Sequence, residues 1–231
     1  MGRWLAVGAV VLVAGCDGPF STLEPRGPAA SSIANLWWGM LAGALILMAL
    51  VLALFAFVML APKQASRIAP RHWIIWGGLG LPALVLPPLV GWSLVAGERL
   101  LPHPGADVAV VEVESFQFGW TFRYPEYGGI ERDILHLPVG QPVDIHITTR
   151  DVIHAFWIPQ LGGKLDAIPG HVNVLRLQAD ETGVYAGQCA EFCGTGHLPM
   201  RFETHVHAPE DLPAALGITA AADDQEEDQQ P

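Results

Sequence analysis

The chain has 231 residues, of which 51% are hydrophobic and only 15% are charged, and its mean hydropathy is +0.35. A soluble domain carries about 25% charged residues, so the composition excludes a chain that faces water throughout. The net charge of -11 argues against a nucleic-acid partner, whose phosphates favour basic surfaces, and suits a basic protein partner drawn by the opposite field.

Residues 1–15 read as a lipoprotein-type signal peptide. Arg3 supplies the positive start, and residues 4–13 form an apolar run too short to span a bilayer. The run ends Val13-Ala14-Gly15-Cys16, which resembles the bacterial lipoprotein cleavage box. Cleavage before Cys16 would leave its thiol lipidated, and acyl chains add about 0.8 kcal/mol of membrane attachment per buried methylene. Residues 16–32, rich in Pro, Gly and Ser, read as a lipidated extended tether.

Residues 33–97 predict a transmembrane helical hairpin. The first span covers 33–61, with no charge in 41–60 and with Trp37 and Trp38 at its start, where aromatic rings favour the headgroup region. The second covers 73–96, with kinks expected at Pro82, Pro87 and Pro88. The connecting loop holds Lys63, Arg67 and Arg71 and no acid. The positive-inside rule puts that loop in the cytoplasm and both chain ends outside.

The pattern changes beyond residue 98. The segments 108–113, 142–147, 171–177 and 201–206 read as strands, several alternating in polarity. About 100 residues of this kind predict a small antiparallel sandwich or barrel over 98–210. Residues 98–231 hold seven basic and twenty-one acidic residues, a net -14. Residues 211–231 read as an acidic disordered tail.

The chemistry is concentrated in Gly187-Gln188-Cys189-Ala190-Glu191-Phe192-Cys193-Gly194-Thr195-Gly196-His197-Leu198-Pro199-Met200. Two thiols, an imidazole and a thioether lie in one short loop. Thiolate and thioether are soft ligands that suit copper, and imidazole suits several transition metals. Two cysteines with three residues between them can converge on one point and bridge two copper ions. A second imidazole has its best source in Asp151-Val152-Ile153-His154-Ala155-Phe156-Trp157. A Cys189–Cys193 disulfide would leave His197 and Met200 unexplained, and a blue-copper site needs one thiolate rather than two. Zinc would leave Met200 without a purpose, and a catalytic Cys-His pair needs no second Cys. His103, His136, His146, His171, His205 and His207 read as surface or packing residues, with His205 and His207 on one strand face a weak metal hint.

These motifs resemble subunit II of the haem-copper cytochrome c oxidases over residues 16–210, and Leu161-Gly162-Gly163-Lys164-Leu165-Asp166-Ala167-Ile168-Pro169-Gly170 is a second signature of that family. The resemblance implies a two-helix hairpin followed by an all-β cupredoxin-like domain. It implies a dinuclear copper centre in which His154 and Met200 complete one copper, His197 and the Glu191 carbonyl complete the other, and Cys189 and Cys193 are shared. The Glu191 carboxylate would help bind magnesium at the contact with the catalytic subunit. Further implications are a periplasmic c-type cytochrome as donor, a separate subunit I with the haems among other oxidase subunits, and oxygen reduction coupled to proton pumping. The chain would thus be an enzyme only as part of a complex in the bacterial inner membrane, with its N-terminus and copper domain on the periplasmic side. Quinol-oxidising members lack the copper ligands, and here all are present.

The chain departs from the family at several positions. Phe118 stands where the Trp that receives the electron usually stands, while Trp120 is retained, so these two are the candidates for the point where the electron enters. Arg123 occupies an often acidic position, and His171 stands where an Arg usually follows the Pro-Gly pair. The Glu common before the second helix is missing, and His72 is the only group there that titrates near neutral pH.

Overall fold

Uninterrupted runs of Leu, Ala, Val, Ile and Met with no β-ladder partner leave the backbone of the first apolar segment one way to satisfy its own hydrogen bonds, the α-helix. Helix α1 spans Pro28–Leu60 and helix α2 spans Pro70–Glu98, the two expected apolar helices. The structure, a computed structural model, describes residues 17–103 and 108–217. The signal-peptide reading of 1–15, the lipidation of Cys16 and the acidic residues beyond 217 lie outside them.

Large apolar side chains stand exposed all round α1 and α2, Leu60 and Leu84 among the most open. A helix apolar on every face is one that meets lipid or protein rather than water. Trp92 of α2 lies against Gly39 of α1, where any side chain would collide with the indole. The α2 helix begins with a stretch of wide, π-type turns over Trp73–Gly80, closed where the Leu81 N–H reaches back to the Trp76 carbonyl. In an α-turn the Pro82 ring would crowd the carbonyl four residues earlier. A wider turn relieves that crowding, and the helix then continues through Pro87 and Pro88.

The β domain contains, among the described residues, ten strands in two five-stranded sheets. In chain order they are β1 (Ala109–Phe116), β2 (Gly119–Tyr124), β3 (Gly129–Arg132), β4 (Ile134–Pro138), β5 (Val143–Thr149), β6 (His154–Trp157), β7 (Leu165–Ala167), β8 (Asn173–Leu177), β9 (Gly183–Cys189) and β10 (Arg201–His207). One sheet has the order β3-β2-β1-β5-β8 and the other β4-β10-β9-β6-β7. The pairs β1–β5 and β4–β10 are parallel and the remainder antiparallel.

Period-two alternation sets which face is buried. On β5, Val143, Ile145 and Ile147 point inward while Asp144 and His146 do not. On β10, Phe202, Thr204 and Val206 point inward, leaving Glu203, His205 and His207 on the outer face. Trp120, Phe122, Leu135, Ile145, Phe156 and Phe202 fill the space between the sheets.

Both edges of the domain depart from the sequence expectation. The chain from 17 onward is not a free extended tether, because it is docked on the β domain. The Arg26 N–H donates to the Gln160 carbonyl at 2.7 Å, the Asp180 N–H donates to the Arg26 carbonyl at 2.8 Å, and Arg26 pairs with Glu181 at 2.7 Å. Arg201 also lies over the Phe20 ring, 5.2 Å from its centroid. Pro, Gly and Ser suit an irregular segment held by backbone bonds as well as a loose one. At the other end the packed domain runs on to Gly217. A short helix, α3 (Leu212–Ala215), places Leu212 and Leu216 in the core, so the first residues of the expected tail are structured.

Candidate metal centre

The loop joining β9 to β10 begins at Cys189, the last residue of β9, and ends at Met200, next to β10. It is closed at its base, where the Cys189 N–H donates to the Met200 carbonyl at 3.0 Å. The Ala190 N–H donates to the Ala155 carbonyl and ties the loop to β6, while the bonds from the His197 N–H to the Gly194 carbonyl and from the Met200 N–H to the His197 carbonyl fold the loop back on itself. Strand β6, which starts at His154, is held between β9 and β7. The 161–170 signature has a structural part here, because Leu165–Ala167 pairs with β6 directly beside His154.

All six residues expected at the metal meet at this point. The sulfurs of Cys189 and Cys193 are 3.8 Å apart, unbonded and buried. His154 Nδ1 lies 3.8 Å from Cys189 Sγ, and His197 Nδ1 lies 3.8 Å from Cys193 Sγ. Met200 Sδ lies 3.7 Å from Cys193 Sγ, and the Glu191 carbonyl oxygen lies 3.2 Å from Cys189 Sγ. Two ligands about 2.3 Å from one metal at a tetrahedral angle are roughly 3.8 Å apart, so these donor separations fit direct coordination. Only the carbonyl of Glu191 faces the cluster side of the loop; its residue is otherwise exposed.

The electrostatics also favour a cation. Burial, and then the neighbouring Cys189, push the Cys193 thiol up to about 12. Two thiolates side by side in an apolar pocket are costly unless positive charge lies between them. The donor set of two thiols, two imidazoles, a thioether and a carbonyl is soft enough for copper.

Two residues that sequence reasoning missed organise the centre. Asp151 Oδ1 accepts a hydrogen bond from His154 Nε2 at 2.9 Å, which leaves Nδ1 free to face Cys189. Burial raises the Asp151 carboxyl, but hydrogen bonds from His154, Gln117 and Val152 outweigh it and hold the group below the usual carboxylate range. Gln117 donates its backbone N–H to Asp151 at 2.7 Å and its side-chain amide to the Cys193 carbonyl at 2.6 Å, tying the β1–β2 turn to the loop. A carboxylate three residues before a candidate ligand His in a turn was the available signal. Replacing Asp151 by Ala frees the His154 ring, and metal affinity measured by competition with a chelator should fall by about 10–100-fold.

The two aromatic candidates occupy different places. Phe118 is 41% exposed and its ring lies over Gly194 and Gly196 of the loop. A side chain at Gly196 would collide with that ring, and Gly194 has φ +133°, a conformation L side chains rarely adopt. Trp120, by contrast, is completely buried, with its ring centroid 6.2 Å from that of His154 and 5.4 Å from that of Phe202. A fully buried ring cannot be touched by a docking protein, so Trp120 is removed from the surface role and Phe118 holds the surface position. Phe192 and Leu198, both widely exposed, add apolar surface on the same loop. Arg123 pairs with Glu114 at 3.6 Å, and exposed His171 shares a hydrogen bond with Asn173 at 3.1 Å.

The chain is similar to known proteins. Residues 130–205 match the family described as cytochrome c oxidase subunit II, periplasmic domain. The chain is 33% identical over 220 residues to cytochrome c oxidase subunit 2 of Alkalihalophilus pseudofirmus, a match covering 87% of this chain and 63% of that protein. It is 28% identical over 219 residues to quinol oxidase subunit 2 of Bacillus cereus, covering 89% of this chain and 75% of that protein. Among solved structures, the periplasmic domain of subunit II of cytochrome oxidase of Bradyrhizobium japonicum superposes with a TM-score of 0.46 at 28% identity, covering 49% of this chain and 94% of that one. The chain thus spans somewhat under two thirds of the length of its Alkalihalophilus relative.

Proposed function

We propose that the chain, which is similar to the cytochrome c oxidase subunit II periplasmic domain over residues 130–205 and to a cytochrome c oxidase subunit 2 over 220 residues, is the electron-accepting subunit of a respiratory haem-copper terminal oxidase. It takes electrons from a periplasmic c-type cytochrome at a dinuclear copper centre and passes them to haem in the catalytic subunit, where oxygen reduction is coupled to proton pumping. The observation that carries this reading is the ring of donors around Cys189 and Cys193. His154 and Met200 would hold one copper, His197 and the Glu191 carbonyl the other, and the two sulfurs both. Each sulfur has one outer donor of each set beside it: His154 and Glu191 flank Cys189, and Met200 and His197 flank Cys193. A copper pair held in this way would supply a one-electron carrier whose charge is shared between two metals, so that each bond would change little on oxidation.

The protein's own contribution is rigidity and exclusion of water. Cys189, Cys193, His154 and Met200 are buried, and Asp151 and the β6–β7 pairing fix the His154 ring. A site that cannot relax has little to reorganise. Phe118, with Phe192 and Leu198, presents an apolar surface over the buried donors. The complete donor set favours cytochrome c over quinol as reductant. The exposed Glu191 carboxylate is free to bind magnesium with groups of the catalytic subunit. The apolar helices α1 and α2 anchor the chain in the bacterial inner membrane, with the basic loop on the cytoplasmic side and the copper domain on the periplasmic side. Lipidation at Cys16 would add to that anchor, and His72 is the group placed to admit protons at the start of α2.

The test is stopped-flow oxidation of a reduced c-type cytochrome by the intact complex. Phe118→Ala should slow the reaction while leaving the visible spectrum of the copper centre unchanged. The wild-type rate should also fall as salt screens the acidic domain. A rate indifferent to Phe118 would remove this residue from the electron's path.

A further inference from the structure

Outside the copper centre, the described residues hold a second group of metal-binding side chains. His205 and His207 stand two residues apart on the outer face of β10, and the parallel pairing of β4 with β10 brings His136 directly opposite His205. One donor atom from each of the three imidazoles lies within 4.8 Å of the others. His136 Nδ1 and His207 Nε2 are 2.8 Å apart, and the two rings are stacked with centroids 5.1 Å apart. The Glu203 carboxylate, 2.8 Å from His205 Nε2, adds negative charge at the edge of the group. The site is remote from the copper loop, because β10 carries the chain roughly 16 Å from Met200 to His205 at about 3.3 Å per residue.

Packing alone explains this arrangement poorly. Three imidazoles crowd together, His136 in direct contact with His207, and they repel one another whenever two are charged. Burial, and then His207 and His205, lower the His136 pKa to about 4, and burial, and then His205, lower that of His207. At neutral pH the His136 and His207 rings are therefore uncharged. A cleft of about 370 Å³, bordered by Tyr124, Glu126, His136 and Leu212, opens beside His136 and gives a small ion room to reach it.

We propose that His136, His205 and His207 form a second metal site, built for a borderline divalent ion such as zinc(II). Imidazole nitrogens suit that class of ion, and three of them leave a fourth tetrahedral position for water. Metal–nitrogen bonds of about 2.0–2.1 Å require donors roughly 3.3 Å apart, which small rotations of the two partly exposed rings supply. Zinc held there would tie β4 to β10 across a junction closed otherwise by backbone hydrogen bonds and packing.

The experiment titrates the detergent-solubilised full chain with zinc(II) and counts bound metal, in the wild type and in a Cys189→Ser/Cys193→Ser background that removes the sulfur site. In both, His205→Gln/His207→Gln should lose one equivalent of zinc. Zinc still held by His136 in that variant, seen only at higher concentration, should bind more weakly by more than the ~10–100-fold that loss of an outer partner costs. Zinc should raise the melting temperature only where the three imidazoles are intact. His146→Gln, on the other sheet, should behave as the wild type. If the sulfur-free chain with all three imidazoles binds no zinc, or if the His205/His207 variant binds as tightly, the proposal is overturned. Circular dichroism establishes that each variant is folded, and the wild-type pair gives the same comparison if the sulfur-free background is not.

Discussion

Cys193→Ser should reduce the copper content from two ions per chain to at most one and abolish oxidation of reduced cytochrome c by the assembled complex. Cys193 Sγ is the hub of the centre, in contact with Cys189 Sγ, His197 Nδ1 and Met200 Sδ at 3.7–3.8 Å. A serine hydroxyl is a hard donor with a shorter reach, whereas the copper preference of this set rests on its soft sulfurs. The domain should nevertheless fold, because Cys193 sits in a loop and no strand pairing depends on it. The β-sheet circular dichroism of the variant checks that, and metal analysis with visible absorption checks the copper. Two coppers retained in a folded Cys193→Ser protein would exclude the shared-sulfur arrangement.

Trp120→Ala has a different expected signature, loss of stability by about 3–5 kcal/mol, the usual cost of truncating a buried large aromatic residue. Its ring is fully buried and packs edge-on against Phe156, with Phe122 and Phe202 nearby. The ring also lies next to His154, so the cavity would loosen a ligand as well as the core. Trp120→Phe refills much of that space and should cost far less. Chemical denaturation of the two variants separates these outcomes. A surface residue would give neither loss, and equal stability of Trp120→Ala and wild type would contradict the buried placement.

The candidate ligands were legible because their chemistry is local and unusual. Cys189, Cys193, His197 and Met200 lie in one loop, and soft donors in that density have few other uses. The apolar helices were legible from length and lack of charge, and β5 and β10 from their alternation. Strand β9, Gly-Val-Tyr-Ala-Gly-Gln-Cys, carries two glycines and little alternation, so its strand character comes from pairing with β10 and β6. Asp151 and Gln117 escaped notice because neither is a ligand; their value appears only when folding sets them beside His154 and the Cys193 carbonyl. The same reason hid His136. Its neighbours His205 and His207 were visible as a pair, but the third imidazole arrives through the parallel β4–β10 pairing, which no local pattern announces. The burial of Trp120 was not legible, because an aromatic residue in an aromatic stretch does not disclose which face of the strand it occupies. The cluster of buried rings on the inner face decides it.

Paramagnetic resonance of the copper-loaded full chain, with metal counted on the same sample, addresses the centre most directly. An electron shared equally by two copper nuclei gives a seven-line hyperfine pattern, whereas one confined to a single nucleus gives four. Two coppers per chain with seven lines are expected from sulfurs that both metals share. One copper per chain with four lines would contradict it.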